Sequence, residues 1–264
     1  MSEIYFGPQR VLRHRGRNIW AGRTAPERVD WDDGRHSVRL QSELPLTLVD
    51  GVPLVLPDTF SLAAQRFLKR ALIDIPLSAA TLIVLSPLLF GLILAVRLSS
   101  RGPALFRQAR VGLNGKEFML LKFRTMRSEA CDETGLAQVV EDDDRVTPIG
   151  RFLRMTSLDE LPQLWNILVG DMAIIGPRPM VRGQRAGGVD YVEAVPYYDY
   201  RHRVKPGLSG WAQANGLRGP TTELTSAIAR IDHDCAYVQN FSLALDVRII
   251  FRTMVREFLT GSGV

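Results

Sequence analysis

Lysine, cysteine and histidine are all scarce in this chain of 264 residues. Only four of its 33 basic residues are lysine; the rest are arginine, whose planar guanidinium suits paired hydrogen bonds to phosphate. Its two cysteines, Cys131 and Cys235, stand far apart, which excludes a disulfide-rich scaffold. The four histidines lack zinc-site spacing, and no familiar nucleic-acid-binding motif is present. The net charge of +5 therefore favours anionic lipid or a nucleotide as partner, and no nucleic acid.

The first residues also lack the positive-then-apolar pattern of a signal peptide, so we expect the chemistry to face the cytoplasm. Residues 1–60 show little apolar periodicity and carry eight arginines between Arg10 and Arg39. We interpret this stretch as a basic N-terminal appendage, to which we assign no chemistry. Within it, Leu44–Val49 and Pro53–Leu56 flank Asp50–Gly51, which predicts a short hairpin.

One long hydrophobic run follows, with 22 uncharged residues from Ile75 to Val96, enough to cross about 30 Å of hydrocarbon. Ser86–Pro87 interrupts it, since proline breaks or kinks a helix. Each half, at about 1.5 Å per residue, reaches only about halfway across. Basic residues flank both ends, which favours the cytoplasmic side for each. Residues 61–100 are thus predicted to form a re-entrant hairpin in one leaflet; a kinked spanning helix and a buried core helix are the alternatives.

Several local signals predict the elements after this run. Asn114–Gly115 lies between strand-like segments, Ala104–Val111 and Glu117–Phe123, which predicts a β-hairpin. Thr147–Pro148 is typical of a helix start, and a second helix through Leu161–Leu168 should end at Gly170. Residues 222–259 are predicted to be mainly helical.

The last of these helices has an arginine stripe, Arg248, Arg252 and Arg256, opposite apolar residues. This pattern fits a helix at the membrane interface. Ordinary packing on the domain, with an exposed arginine stripe, explains it equally well. The apolar residues are Val247, Ile250, Phe251, Met254 and Phe258.

The strongest chemical signal is the adjacent pair Asp159–Glu160 at a helix start. Ser157 and Glu160 would fit a structural capping box, but Pro162 sits poorly in a helix that begins at Ser157. If the helix begins at Pro162, both carboxylates lie beside its positive end. Ionised carboxylates near arginines can hold a divalent cation or attack a phosphorus atom. Spacing alone leaves the structural and functional interpretations open.

From Phe67 to its C-terminus the chain carries many motifs in one order. They are Ser86–Pro87, Arg101–Gly102–Pro103, Gln108–Ala109–Arg110–Val111–Gly112, Lys122–Phe123–Arg124–Thr125–Met126, Ser157–Leu158–Asp159–Glu160–Leu161–Pro162–Gln163–Leu164, Gly176–Pro177–Arg178–Pro179 and Lys205–Pro206–Gly207. With these motifs, this part of the chain resembles the bacterial sugar transferases, or monotopic phosphoglycosyl transferases.

The resemblance implies transfer of a sugar phosphate from a UDP-sugar to polyprenyl (undecaprenyl) phosphate, with release of UMP. It implies that Asp159 is the nucleophile, forming a sugar-phosphoryl intermediate, and that Glu160 is a ligand to Mg²⁺. Residues 211–219 resemble enzymes that begin exopolysaccharide synthesis with glucose phosphate, which favours a donor of glucose or galactose type. The choice between monomer and homodimer stays open.

Six further residues are predicted to serve the substrate. Lys122, Arg124 and Arg178 are candidate phosphate contacts. Pro206, Gly207 and Gln213 are expected either to shape a loop over the nucleotide or sugar or to form a tight structural turn.

We therefore expect a mixed α/β fold, mainly helical. A compact cytoplasmic catalytic domain (101–264) would carry the re-entrant hairpin and amphipathic interfacial helices at the bacterial inner membrane. The rival hypotheses are a non-catalytic scaffold of a polysaccharide assembly complex, a basic nucleic-acid-binding protein, and a glycosyltransferase that releases UDP.

Overall fold

The structure of the chain is a computed structural model. It describes residues 11–14, 17–20, 29–32, 35–39, 44–49, 52–53, 60–127, 143–219 and 223–260. In this part of the chain the fold is mixed α/β and mainly helical, as predicted.

The amino-terminal region forms short antiparallel strands. The first two pair with each other, and the next four form a sheet in sequential order. The predicted hairpin at Asp50–Gly51 is confirmed where it is described, because Val49 pairs with Val52; Leu54–Leu56 lies outside the described residues. The strands are β1 (Val11–His14), β2 (Arg17–Trp20), β3 (Val29–Asp32), β4 (Arg35–Arg39), β5 (Pro45–Val49) and β6 (Val52–Pro53).

The hydrophobic run folds as a bent pair of helices. Helix α1 (Phe60–Lys69) continues through a π-helical turn, Arg70–Asp74, into α2 (Ile75–Val84), and α3 (Ser86–Ser99) follows after Leu85. The two arms meet at 65°. Among the described residues, none of the helices alone combines the length and hydropathy needed to cross a membrane, but this bent pair does so by length and composition. The break predicted at Ser86–Pro87 is confirmed.

The local signals after the run are also confirmed. Strands β7 (Leu105–Val111) and β8 (Glu117–Phe123) form the predicted antiparallel hairpin. Its turn needs left-handed backbone at Asn114 (φ 54°), a conformation that asparagine tolerates. Helix α4 (Pro148–Met155) begins where Thr147 Oγ1 accepts a 3.0 Å hydrogen bond from Gly150 N. Helix α5 (Gln163–Val169) ends at Gly170.

The remainder of the chain is built around one parallel strand pair and two long helices. The predicted helical tail is confirmed, with a break at residues 240–242. The elements are β9 (Ala173–Ile175), β10 (Arg185–Ala186), β11 (Val189–Asp190), α6 (Tyr191–Ala194), β12 (Gly207–Ser209), α7 (Trp211–Ala214), α8 (Leu224–Gln239) and α9 (Leu243–Thr260).

Helix α9 packs on the domain through Leu245 and Ile249, which are buried. Val247, Phe251 and Met254 are 58%, 69% and 54% exposed and form an exposed apolar face, whereas Ile250 of the predicted face is partly buried against the core. An interfacial helix needs such a face, and its contact with lipid stays a prediction.

Part of the predicted appendage packs against the main body of the molecule. Leu46 in β5 is fully buried in a cluster with Ile228 and Ile231 of α8. The backbone of Thr47 exchanges hydrogen bonds of 2.9 and 2.8 Å with the side-chain amide of Gln239. The boundary drawn at residue 60 stays a prediction.

A buried polar cluster ties α1 to the centre of the domain. Lys69 Nζ lies 2.9 Å from a carboxylate oxygen of Asp246 and donates hydrogen bonds to Ile175 O (2.6 Å) and Tyr237 Oη (3.0 Å). Asp74 accepts a 2.9 Å hydrogen bond from Ile174 N. The start of the bent helix pair is thereby fixed to strand β9.

We expect Lys69→Met to lower the free energy of unfolding by about 3–5 kcal/mol, because it leaves Asp246 as an unpaired buried charge. Chemical unfolding of the detergent-solubilised protein measures this. Lys116→Met, at an exposed lysine, is the matched control and should change stability little. Equal stability of the two variants would show that the buried cluster does not hold α1 in place.

Candidate active site

Asp159 and Glu160 lie on a single 3₁₀ turn, Leu158–Glu160, between α4 and α5. The turn follows Ser157, which has a left-handed backbone (φ 55°) although it is not glycine. Such a conformation costs of order 1–3 kcal/mol and is concentrated at functional sites. Ser157 makes no side-chain cap, and α5 begins only after Pro162. The structure therefore does not form the capping box, and the functional interpretation of the pair stays a prediction.

Two cations from distant segments hold the Glu160 carboxylate. Lys122, near the end of β8, places Nζ 3.1 Å from Oε1. Arg178 places Nη2 2.5 Å from the same oxygen, and Nη1 donates more weakly to Oε2 at 3.5 Å. Burial alone would raise the pKa of Glu160, but Arg178 and Lys122 together hold it well below its ordinary value. Glu160 is therefore ionised throughout the physiological range.

Of the two carboxylates, Asp159 has its ionised form less well stabilised by nearby cations. It is 8% exposed, and its nearest cation is Lys122, 3.9 Å from Oδ2. Burial raises the pKa of Asp159 above its ordinary value; Lys122 opposes this change and the Glu160 charge adds to it. Two adjacent carboxylates whose pKa values move in opposite directions are suited to different roles. Asp159 is the more basic and hence the more nucleophilic of the two.

Close backbone packing positions Arg178. Gly176 N donates to Ser209 O and Gly207 N donates to Pro177 O, both at 2.9 Å. A Cβ on Gly207 would lie 2.1 Å from Gly176 N, so only glycine permits this approach. Gly207 begins strand β12, so the close packing is structural but the predicted tight turn is not formed there, and the predicted loop over the substrate stays a prediction. Pro206 also lines a small cleft beside Arg178, together with Val111, Gly112, Pro177, Arg201, His202 and Val204.

Arg124 is directed away from this cluster. Its guanidinium donates to Arg101 O (2.8 Å), Ser100 O (2.7 Å) and Val96 O (3.3 Å), at the C-terminal end of α3. Cations are favourable there, because the last carbonyls of a helix lack intrahelical partners. The structure supports an anchoring role for Arg124, and its predicted phosphate contact stays a prediction.

Gln213 lies buried on α7. Its Nε2 is 3.5 Å from Leu208 O, and its Oε1 has no hydrogen-bond partner in the described part of the chain. The structure does not bring Gln213 into contact with Asp159 or Glu160, so its predicted role stays a prediction.

Three arginines near Arg178, the buried Arg201 and Arg230 and the half-buried Arg110, were absent from the predicted site. Arg201 donates to Arg178 O at 2.6 Å and pairs with Asp234 at 2.6 Å. Arg110 and Arg230 are close enough to Arg178 for its charge to depress their pKa values, although burial is the larger cause. Strand alternation could have found Arg110, since the hairpin register places it on the same face as Lys122.

The carboxylate pair supplies only two of the ligands that a magnesium ion needs. No group of three or more potential protein ligands occurs among the described residues. Mg²⁺ is, however, often held by one or two carboxylates together with substrate phosphates and water. Asp159 and Glu160 match that donor set, provided that Lys122 and Arg178 shift towards the phosphates. The Mg²⁺ prediction therefore stays open.

Comparison with known proteins identifies the family. The sequence profile of the bacterial sugar transferases matches residues 64–260. The chain is 50% identical over 196 residues to an exopolysaccharide production protein, PSS, from Rhizobium leguminosarum, covering 74% of this chain and 98% of that one. It therefore belongs to the bacterial sugar transferase family, which confirms the predicted resemblance and the transferase class.

Longer relatives share the same region. A UDP-glucose:undecaprenyl-phosphate glucose-1-phosphate transferase from Escherichia coli is 44% identical over 216 residues, covering 81% of this chain and 46% of the relative. A transferase of the same name from Xanthomonas campestris is 46% identical over 187 residues, covering 71% of this chain and 38% of the relative. The chain thus spans less than half the length of these two proteins.

We expect Gly207→Ala to destabilise the fold by about 1–3 kcal/mol, the usual cost of overpacking, because its Cβ has no room beside Gly176. Thermal unfolding measures the effect. Gly91→Ala is the control, since a Cβ there meets no atom within 4 Å. An unchanged midpoint for Gly207→Ala would contradict the close packing that positions Arg178.

Proposed function

We propose that this protein transfers a sugar-1-phosphate from a UDP-sugar to undecaprenyl phosphate and releases UMP. The observation that carries the proposal is the turn at Leu158–Glu160, where a buried, more basic Asp159 stands next to an ionised Glu160 held by two cations. The names of relatives that cover most of this chain support the substrates: they act on UDP-glucose and undecaprenyl phosphate.

The proposed reaction has two displacements at one phosphorus atom. An Asp159 carboxylate oxygen attacks the phosphorus that carries the sugar, and the bond from that phosphorus to the bridging oxygen breaks. The electron pair leaves with UMP, which gives a sugar-phosphoryl-aspartate. An oxygen of undecaprenyl phosphate then attacks the same phosphorus, and Asp159 leaves as a carboxylate.

Charge is the main obstacle to the first step, because a carboxylate must approach an anionic diphosphate. Lys122 and Arg178 can bind phosphate oxygens and so reduce the repulsion. Mg²⁺, held by Glu160 with or without Asp159, would further neutralise the diphosphate. Glu160 would keep these cations in place before the donor arrives.

The bent helix pair would serve the lipid substrate. Its exposed apolar side chains include Phe67, Ile83, Val84, Phe90 and Leu98, each at least 71% exposed. We propose that it enters one leaflet of the inner membrane from the cytoplasmic side and returns. A lipid-linked acceptor would then meet the active site at the membrane surface. The apolar face of α9 would lie on the same surface.

Nucleotide release by the detergent-solubilised protein tests the reaction. With Mg²⁺, undecaprenyl phosphate and a panel of UDP-sugars, we expect UMP release with a glucose- or galactose-type donor. Asp159→Asn should abolish it, since an amide cannot form the intermediate, while the thermal midpoint stays near that of the parent. Glu160→Gln should be partly rescued by extra Mg²⁺.

The identity of the nucleotide separates the rival hypotheses. UDP as product would indicate direct glycosyl transfer. Near-normal turnover by Asp159→Asn would refute the nucleophile assignment. The scaffold hypothesis predicts no release with any donor from a folded protein.

Cysteine labelling in intact cells tests the hairpin. Ala63→Cys and Arg101→Cys place thiols at exposed positions, one at the start of the first arm of the bent pair and one just after the second. We expect both to resist an impermeant reagent added from the periplasm and to react after lysis, because a re-entrant pair leaves both flanks in the cytoplasm. Labelling of one flank before lysis would instead indicate a kinked spanning helix.

A further inference from the structure

We infer that the clefts on either side of His202 bind the nucleoside of the donor, with the His202 imidazole as a hydrogen-bonding partner. His202 lies on the 3₁₀ segment Tyr198–Arg203 and does not belong to the proposed catalytic group. The inference deepens the proposed function and rests on it for the identity of the ligand.

His202 is a buried polar side chain without a hydrogen-bond partner. The residue is 7% exposed, and both of its ring nitrogens are buried. Neither nitrogen makes a hydrogen bond in the described part of the chain. Nδ1 lies 3.4 Å from Asp199 Oδ1, but the Asp199 side chain is 86% exposed, so this contact is weak. Buried polar atoms are nearly always satisfied, so two unsatisfied nitrogens on one ring point to a ligand.

The chemistry of the imidazole favours a neutral ligand group over a phosphate. Burial and the charge of Arg201 lower the pKa of His202 to about 4, although Asp199 opposes the change. The ring is therefore neutral at physiological pH, with one N–H donor and one acceptor nitrogen. Ribose hydroxyls and the uracil edge, where an N–H stands between two carbonyls, match both, whereas an ionised phosphate oxygen only accepts.

His202 lines two adjoining clefts, which also share Val111. The smaller cleft, beside Arg178, has about 170 Å³ of empty volume, and the larger has about 380 Å³. The larger cleft falls within the range of about 300–1,000 Å³ that is usual for small-molecule sites. A ligand held by Arg178 can therefore continue past His202 into a space of suitable size.

The larger cleft is lined by groups that suit hydroxyls and a base. Carboxylates accept hydrogen bonds from hydroxyls and disfavour a second phosphate. The ring of Tyr198 packs edge-to-face on His202, with centroids 5.3 Å apart, and so orients the imidazole. The other polar lining side chains are Arg182, Gln184, Asp190, Tyr191 and Asp199.

The backbone connects His202 rigidly to the phosphate-binding side of the site. Arg201, its neighbour in sequence, donates to Arg178 O at 2.6 Å and is paired with Asp234. The guanidinium of Arg178 in turn contacts Glu160. Arg178 thus joins the carboxylate pair to the smaller cleft, and in the described structure neither carboxylate lines either cleft.

The direction of the proposed displacement assigns the clefts to the nucleoside rather than to the sugar. The attacking and leaving oxygens of a phosphoryl transfer lie roughly in line, on opposite sides of the phosphorus. UMP therefore leaves in the direction away from Asp159. The clefts beyond Arg178 lie outside the contacts of the carboxylate pair and adjoin a phosphate-binding cation, which is the place that the departing nucleotide requires.

Equilibrium binding of UDP, pyrophosphate and glucose-1-phosphate to the full, detergent-solubilised chain tests this inference without turnover. We expect His202→Phe to weaken UDP binding by about tenfold or more, because the apolar ring leaves nucleoside groups unpaired. Pyrophosphate and glucose-1-phosphate lack the nucleoside and should bind as they do to the parent. Loss of glucose-1-phosphate affinity with parental UDP affinity would place the sugar in the clefts and overturn the assignment.

His233→Phe is the matched control. His233 is also buried, at 5% exposed, but its Nδ1 lies 2.7 Å from Ala229 O, and it lines neither cleft in the described structure. This variant should keep parental UDP affinity. An equal loss in both phenylalanine variants would show a general effect of removing a buried histidine and would overturn the inference.

Thermal unfolding separates ligand binding from a structural role. Since His202 makes no hydrogen bond in the described structure, His202→Phe should leave the midpoint unchanged or raise it. A lower midpoint together with parental UDP affinity would show a packing role only. If His202→Phe does not fold, the smaller His202→Leu takes its place, and parental UDP affinity in that variant would likewise refute the subsite.

This inference and the proposed reaction can fail separately. A parent protein that binds UDP through His202 but releases no UMP would remove the reaction and keep the subsite. UMP release with parental UDP affinity in the His202 variants would keep the reaction and remove the subsite.

Discussion

The ion pairs of Glu160 are the interaction on which the rest of this site depends. Lys122 and Arg178 are far apart in sequence and meet only at this carboxylate. The side chains of Glu160, Lys122 and Arg178 are only 17%, 23% and 34% exposed, so leaving any of them unpaired would be unfavourable. Their shared contact therefore fixes the β7–β8 hairpin, the turn at Asp159 and the segment after β9 relative to one another.

The same segments are fixed to the bent helix pair. Arg124, two residues after Lys122, donates to the carbonyls at the end of α3. Lys69, at the end of α1, donates to Ile175 O, three residues before Arg178. Both cations of the site are thus connected through short stretches of backbone to the part of the chain proposed to meet lipid. A displacement of that helix pair would therefore shift Lys122 or Arg178 relative to Glu160.

Local signals made much of this fold predictable, whereas long-range contacts did not. Asn114–Gly115, Thr147–Pro148 and Gly170 each mark a turn or helix end by their own backbone preferences, and all three are confirmed. Arg124 and Arg178 stand in equally distinctive motifs, but nothing local distinguishes an arginine that holds a helix end from one that meets a carboxylate. The contact of Gly207 with Gly176 likewise joins segments 31 residues apart, so Pro206–Gly207 was ambiguous in sequence.

The charge balance at the carboxylate pair fits the proposed chemistry. Lys122 and Arg178 contact Glu160 closely, whereas Lys122 lies 3.9 Å from Asp159, so Asp159 has the weaker compensation. In the proposed reaction the same two cations would turn towards the diphosphate, so the contacts that hold Glu160 in the free protein would be exchanged for contacts with phosphate. The buried apolar clusters around Leu153, Trp211 and Ile231 would keep the surrounding segments in place during that exchange.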